Sequence, residues 1–160
     1  MDDEWLAHEL RALTEQAHPP FDPERVLRQL GYEVRTRRLV GTRHMVEHAI
    51  THPSTREVFL NAQLSPSRKR FTVAHELGHV MRHHDLGALA RDGKTEPPEI
   101  RRVADRFATS FLLPEDAVMA SIQQLGRIDV DLLSREYGVS SEAMRVRLRQ
   151  VRAARRLGIE

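Results

Sequence analysis

Residues 75–79 read His75-Glu76-Leu77-Gly78-His79, an H-E-x-x-H pentapeptide. On a helix, a spacing of four stacks the two imidazoles one turn apart on one face, so both can give a nitrogen to a single cation. The carboxylate beside the first histidine then reaches water bound to that cation. Zinc suits the pair because it accepts imidazole nitrogen, has no redox chemistry and lowers the pKa of bound water toward neutrality. The chemistry to expect is hydrolysis. His75 and His79 are the expected zinc ligands, and Glu76 is the expected base that takes a proton from the bound water.

Short patterns of this kind also arise by chance, so the surroundings carry weight. Phe71, Val73, Ala74, Leu77 and Val80 make them apolar. Burying two histidines and a glutamate there costs free energy that a cation would offset, whereas two leucines would fill the face at no polar cost. Catalytic zinc ordinarily has three protein ligands and a water, which leaves one ligand to find. His83 and His84 fit poorly, since a straight helix carries them away from the shared cation. The remaining acids are Asp85, Asp92, Glu96, Glu99 and Asp105. Asp105 lies inside an otherwise apolar helix beside Ala104 and Ala108, so its carboxylate needs a partner, either the metal or a structural donor. Glu99 has the alternative role of a favourable charge at a helix N-terminus.

The elements that must position these groups follow from periodicity and punctuation. Trp5, Leu6, Leu10 and Leu13 fall at helical spacing within residues 3–17, and His18-Pro19-Pro20 ends that helix. Asp22-Pro23 is an N-cap followed by proline, predicting a helix from Pro23 to Leu30 that stops at Gly31. Tyr32 to Val40 and Glu57 to Asn61 read as strands, and His44 to Ile50 as a strand or short helix. Ser67 is expected to cap the H-E-x-x-H helix, which runs from Arg68 or Lys69 to about His83. A loop covers 85–98. Helices are then predicted over 99–112, 115–125, 130–137 and 142–157, the last two around Gly138-Val139-Ser140 with Ser140 as N-cap.

Composition narrows the class. The 160 residues are 40% hydrophobic and 30% charged, with 5% aromatic, so one aliphatic core is expected. There is no cysteine, which excludes disulfides and thiolate chemistry. No apolar run approaches the roughly 20 residues of a membrane span, and the first residues lack the pattern of a secretory signal, so a cytoplasmic protein without membrane partners is expected. A formal net charge of +2 is not a nucleic-acid signal by itself. The basic charge is nevertheless concentrated at Arg145, Arg147, Arg149, Arg152, Arg155 and Arg156, against the single acid Glu142 in that stretch.

Several short pieces occur in a fixed order: Phe59-Leu60-Asn61, then Arg70-Phe71-Thr72-Val73-Ala74 running into the H-E-x-x-H segment, then Ala104-Asp105-Arg106-Phe107-Ala108. Phe111-Leu112-Leu113-Pro114 and Tyr137-Gly138-Val139-Ser140 follow, leading to Ala143-Met144 and Arg147-Leu148. Together they resemble the ImmA/IrrE family of zinc metallopeptidases. The resemblance implies an α+β fold, mainly helical, with a zincin-like metallopeptidase core over residues 1–125 and a small mixed sheet. A helical C-terminal region, helix-turn-helix-like, is expected over 126–160. It further implies Zn2+ on His75 and His79, Glu76 as acid-base, and a helix-turn-helix transcriptional repressor as substrate in a stress response or mobile element. The family also places a glutamate three residues before Ala104, where this chain has Arg101. Asp105 is then the substitute metal ligand, with Glu99 or water alone as alternatives. The substrate is expected to lie along the sheet, with Phe59 to Asn61 as the pairing edge, and His44, His48, His52 and Tyr32 are candidate oxyanion donors.

A non-enzymatic reading competes with this one: a metal-binding regulator, weak or inactive in catalysis, that binds a repressor or DNA through the helices around Gly138. In this reading the arginines extend along one face while Met144, Val146, Leu148 and Val151 pack.

Overall fold

The computed structural model describes residues 2–39, 48–82 and 97–156, with side chains through Arg152. In chain order these form α1 (Asp3–Leu13), α2 (Pro23–Gln29), β1 (Glu33–Arg37), β2 (Ala49–His52), β3 (Glu57–Asn61), α3 (Pro66–Met81), α4 (Pro98–Leu112), α5 (Glu115–Leu125), α6 (Val130–Tyr137) and α7 (Ser141–Arg156). The fold is mostly helical with one small mixed sheet, as the sequence predicts. His83, His84, Asp85, Asp92, Glu96 and His44 lie outside the described residues, as does most of the expected 85–98 loop. Among the described residues, no helix is long and apolar enough to cross a membrane.

The sheet has the order β1-β3-β2. β1 runs parallel to β3 with Val34 opposite Val58, and β2 runs antiparallel to it with Thr51 opposite Val58. This corrects the expectation for Phe59 to Asn61. β3 is the central strand, its backbone groups are engaged on both sides, and it cannot be the edge that pairs with a substrate. Side chains alternate across the strand: Val58 and Leu60 are buried in the core, while Phe59 lies on the other side under the Arg37 guanidinium, 3.6 Å from its ring centroid.

Helix boundaries follow local chemistry. α1 ends at Leu13, four residues short of the expected 17, because the Thr14 hydroxyl donates to the Leu10 carbonyl at 2.8 Å and Glu15 turns to a positive φ of 56°. Trp5 and Leu13, expected on its apolar face, are 53% and 60% exposed; the buried stripe is Leu6, Ala7 and Leu10. α3 is capped by Ser65 rather than Ser67. Its hydroxyl accepts from the Arg68 N–H at 3.4 Å, and Pro66 occupies the first turn, where a missing N–H costs nothing. α6 is capped by Asp129, whose carboxyl the Leu132 N–H holds below its ordinary pKa. Ser140 caps α7 as predicted, accepting from the Ala143 N–H at 3.1 Å.

Leu133, Tyr137, Met144 and Leu148 belong to the same apolar cluster as Leu77 and Phe107, so α6 and α7 share a core with α3 and α4. The arginines of α7 are not all on the outer face. Arg147 is 7% exposed; its Nε donates to the Leu113 carbonyl at 2.7 Å and its guanidinium pairs with Glu4. From the other side Arg11, 6% exposed, donates to the Ser110 and Phe111 carbonyls at 3.0 and 3.2 Å. Two buried guanidiniums therefore satisfy carbonyls at the C-terminal end of α4 that the helix cannot bond itself.

Tyr137 is fully buried with its hydroxyl 3.1 Å from Ser121 Oγ. Burial pushes its phenol from the ordinary 10.0 up to about 12. The fold favours the neutral phenol, so this contribution to stability is intact below pH 10 and is lost as pH rises through about 12. The urea midpoint should fall across that window, and Tyr137→Phe should flatten the fall while costing about 1 kcal/mol at neutral pH.

Candidate functional site

His75, Glu76 and His79 sit on α3 above Leu77, which is fully buried, and α3 packs most extensively against α4. Gly78 makes that packing close. A Cβ built there would lie 3.1 Å from Phe107 Cδ1, 3.2 Å from Ala104 Cα and 3.3 Å from the Ala104 carbonyl oxygen. The small residues Gly78 and Ala104 thus let the two helix backbones approach, and the approach brings α4 side chains within reach of the histidines.

The two imidazoles converge. His75 Nε2 and His79 Nε2 lie 3.0 Å apart, with ring centroids at 4.6 Å and planes at 80°. Two nitrogens on one tetrahedral zinc, each about 2.0–2.1 Å from it, stand roughly 3.3 Å apart. The observed pair is within a few tenths of an ångström of that separation, so the donor set fits one cation. His79 is 2% exposed, while the His75 side chain keeps 15% and opens to solvent.

Asp105 is brought to the same place, but to the other edge of the ring. Its Oδ1 lies 2.8 Å from His75 Nδ1, so the carboxylate accepts from Nδ1–H and leaves Nε2 as the lone-pair nitrogen facing His79. Glu76 turns toward the sheet, where the buried Thr51 hydroxyl of β2 donates to its Oε2 at 2.5 Å. Sequence reasoning missed Thr51. Nothing in a strand of four residues marks one hydroxyl as facing a helix until the register is known.

Arg101, on the exposed side of α4 one turn before Asp105, occupies the position where the resemblance places a glutamate. Glu99 is exposed in the first turn of α4. His48 immediately precedes β2, and partial burial, followed by the guanidiniums of Arg68 and Arg101, pushes its pKa below the ordinary imidazole value. His52 packs edge-on against Phe59, with ring centroids 5.7 Å apart. Among the described residues, no group of three or more His, Cys, Asp or Glu side chains is arranged to hold a metal together. The pair is present; a third protein ligand is not found among them.

Comparison with known proteins agrees with this architecture. The sequence profile of the Peptidase M78 family, described as the IrrE N-terminal-like domain, matches residues 28–149. The HTH-type transcriptional regulator PrpR of Mycobacterium tuberculosis is 33% identical over 113 residues, 68% of this chain and 23% of that protein. The radiation response metalloprotease IrrE of Deinococcus radiodurans is 28% identical over 79 residues, 46% of this chain and 24% of that one. The matched segments thus span about a quarter of these relatives. A solved Mycobacterium tuberculosis transcriptional regulator superposes with a TM-score of 0.65 at 22% identity, over 89% of this chain and 44% of its own, which shows a shared fold.

Gly78→Ala tests the close approach. The added methyl favours the helix by about 1 kcal/mol but forces α3 and α4 apart, a strain of about 1–3 kcal/mol. Strain is expected to win by about 1 kcal/mol in urea unfolding, and zinc retention against a chelator should fall with it.

Proposed function

Given that the chain belongs to the IrrE N-terminal-like domain family, we propose that it is a regulatory domain that works with a helix-turn-helix transcriptional regulator, binds a divalent cation, Zn2+ first, on His75 and His79, and is weak or inactive as a peptidase. The carrying observation is the converging Nε2 pair, backed at Nδ1 by Asp105, with Arg101 rather than an acid one turn away. The kinship with a protein named as a helix-turn-helix regulator supports the partner class.

In this reading His75 and His79 hold the cation, and Asp105 is a positioning residue that fixes the His75 tautomer and strengthens its Nε2 as a donor. The earlier role of Asp105 as a ligand is the less favourable one, because its carboxylate oxygen is engaged at the ring edge away from His79. Bound zinc supplies Lewis acidity at this point. Two protein ligands hold such an ion more weakly than three, and a guanidinium nearby opposes it further. The exposed Arg145, Arg149 and Arg152 of α7 give a basic surface suited to a partner.

A second reading, a zinc endopeptidase that cleaves the repressor, draws on one specific observation. Glu76 stands beside the imidazole pair with only one carboxylate oxygen engaged by Thr51 in the described contacts, in a position to hold a water's proton.

Three experiments test these readings, and the second separates them. Elemental analysis of purified protein should find zinc that His79→Ala loses, and unchanged zinc in that variant would mean that the cation is held elsewhere. Incubation with a helix-turn-helix repressor encoded beside it should give a complex without cleavage. Cleavage that disappears in Glu76→Gln, with zinc retained, would establish the peptidase instead. Arg101→Glu is expected to raise zinc affinity about tenfold or more, read by chelator competition.

A further inference from the structure

Glu76 is held from the sheet, while His75 is held from α4. Thr51 lies opposite Val58, which is fully buried, so both side chains belong to the face of the sheet that meets α3. Thr51 is 6% exposed, and its hydroxyl donates to Oε2 of the half-buried Glu76 at 2.5 Å. A β-branched side chain on a strand has little freedom at χ1, so the donor is stiff. Glu76 has a longer, unbranched side chain that goes where its carboxylate is bonded. His75 takes its orientation from Asp105 Oδ1 at 2.8 Å. The imidazole and the carboxylate next to it in the chain are thus set by partners on two different elements, and α3 alone fixes neither.

That division matters in a site short of donors. Two imidazoles leave a tetrahedral cation without its usual third protein ligand, and opposite charge draws a carboxylate within reach toward it. Glu76 follows His75 directly and precedes His79 by three residues, so on the helix it flanks the pair. Turning it toward a cation would break a charge-assisted hydrogen bond and leave a buried hydroxyl without that acceptor. We propose that Thr51 is a positioning residue that latches the Glu76 carboxylate to β2 and withholds it from the histidine pair, keeping the site at two protein ligands. The proposal rests on the cation reading above. It gives the edge strand β2 a part in the chemistry, since the register that places one hydroxyl also sets how tightly the pair holds its ion. Glu76 is left to meet the ion's water rather than the ion.

The test begins with the metal-free full-length chain and follows the glutamate side-chain carboxyl carbons by NMR. The Glu76 signal, assigned by its loss in Glu76→Gln, should move in Thr51→Val, which removes the hydroxyl and keeps the shape, and should return in Thr51→Ser. Zinc affinity, read by chelator competition, should rise about tenfold or more in Thr51→Val and return to the parent value in Thr51→Ser. It should show no rise when Thr51→Val is added to Glu76→Gln. A general loosening of the fold would instead lower the affinity in both backgrounds. With cobalt(II) in place of zinc, the visible absorption should change in Thr51→Val and not in the double variant. An unmoved carboxyl signal, or zinc affinity unchanged or lowered in Thr51→Val, overturns the proposal. Failure of the cation reading shows separately, as zinc retained by His79→Ala, and the carboxyl signal of the metal-free chain then decides alone whether the latch exists.

Discussion

The candidate site depends on how near two helices come. α3 supplies the imidazole pair and the glutamate, but a histidine on a helix is free to turn about χ1 and χ2 until something fixes it. The fixing group, Asp105, belongs to α4, and it reaches His75 because Gly78 and Ala104 remove the side-chain atoms that would hold the helices apart. Phe107, Ala108 and Phe111 then bury that face completely. Core packing and ring orientation are therefore one constraint: loosening the first also blurs the second.

The charges around the pair set its chemistry. A carboxylate bonded at Nδ1 makes His75 a better donor at Nε2, while a guanidinium one turn along the same helix discourages a cation. These tendencies oppose each other across one turn of α4. Glu76 adds a third element, anchored by a strand residue rather than by its own helix. The arrangement keeps the histidine pair and the glutamate that the proposed reading assigns to a metal and its water, while placing positive charge where that reading would want an acidic third donor.

Much of this was legible in the residues themselves. The H-E-x-x-H spacing, the apolar stripe of α4, the proline and glycine punctuation and the caps at Asp22 and Ser140 are local signals with local causes. The mixed sheet around β3 was not, because a run such as Glu57 to Asn61 reads the same in the centre of a sheet or at its edge. Arg147 and Arg11 were also hidden: an arginine reads as a surface residue until a helix end with unsatisfied carbonyls is placed beside it. The exposure of Trp5 and Leu13 has the converse reason, since periodicity marks a face but not its width. At the site, the pair and the nearness of Asp105 were legible, but Thr51 was not, and neither was the edge of the His75 ring that the Asp105 carboxylate meets.

The first helix lies before the stretch that matches the family, yet it is joined to it at both ends. Asp3 pairs with Arg82 at the end of α3 and with Arg106 on α4, Glu4 with Arg147 and Ser110, and Arg11 with carbonyls at the end of α4 while lying over the rings of Phe21 and Phe111. Trimming the chain to the matched boundaries would take away the carboxylates that Arg82, Arg106 and Arg147 face, remove Phe21 along with the guanidinium that covers Phe111, and loosen the far end of the histidine-bearing helix. The working unit of this molecule thus begins earlier than its recognisable ancestry does.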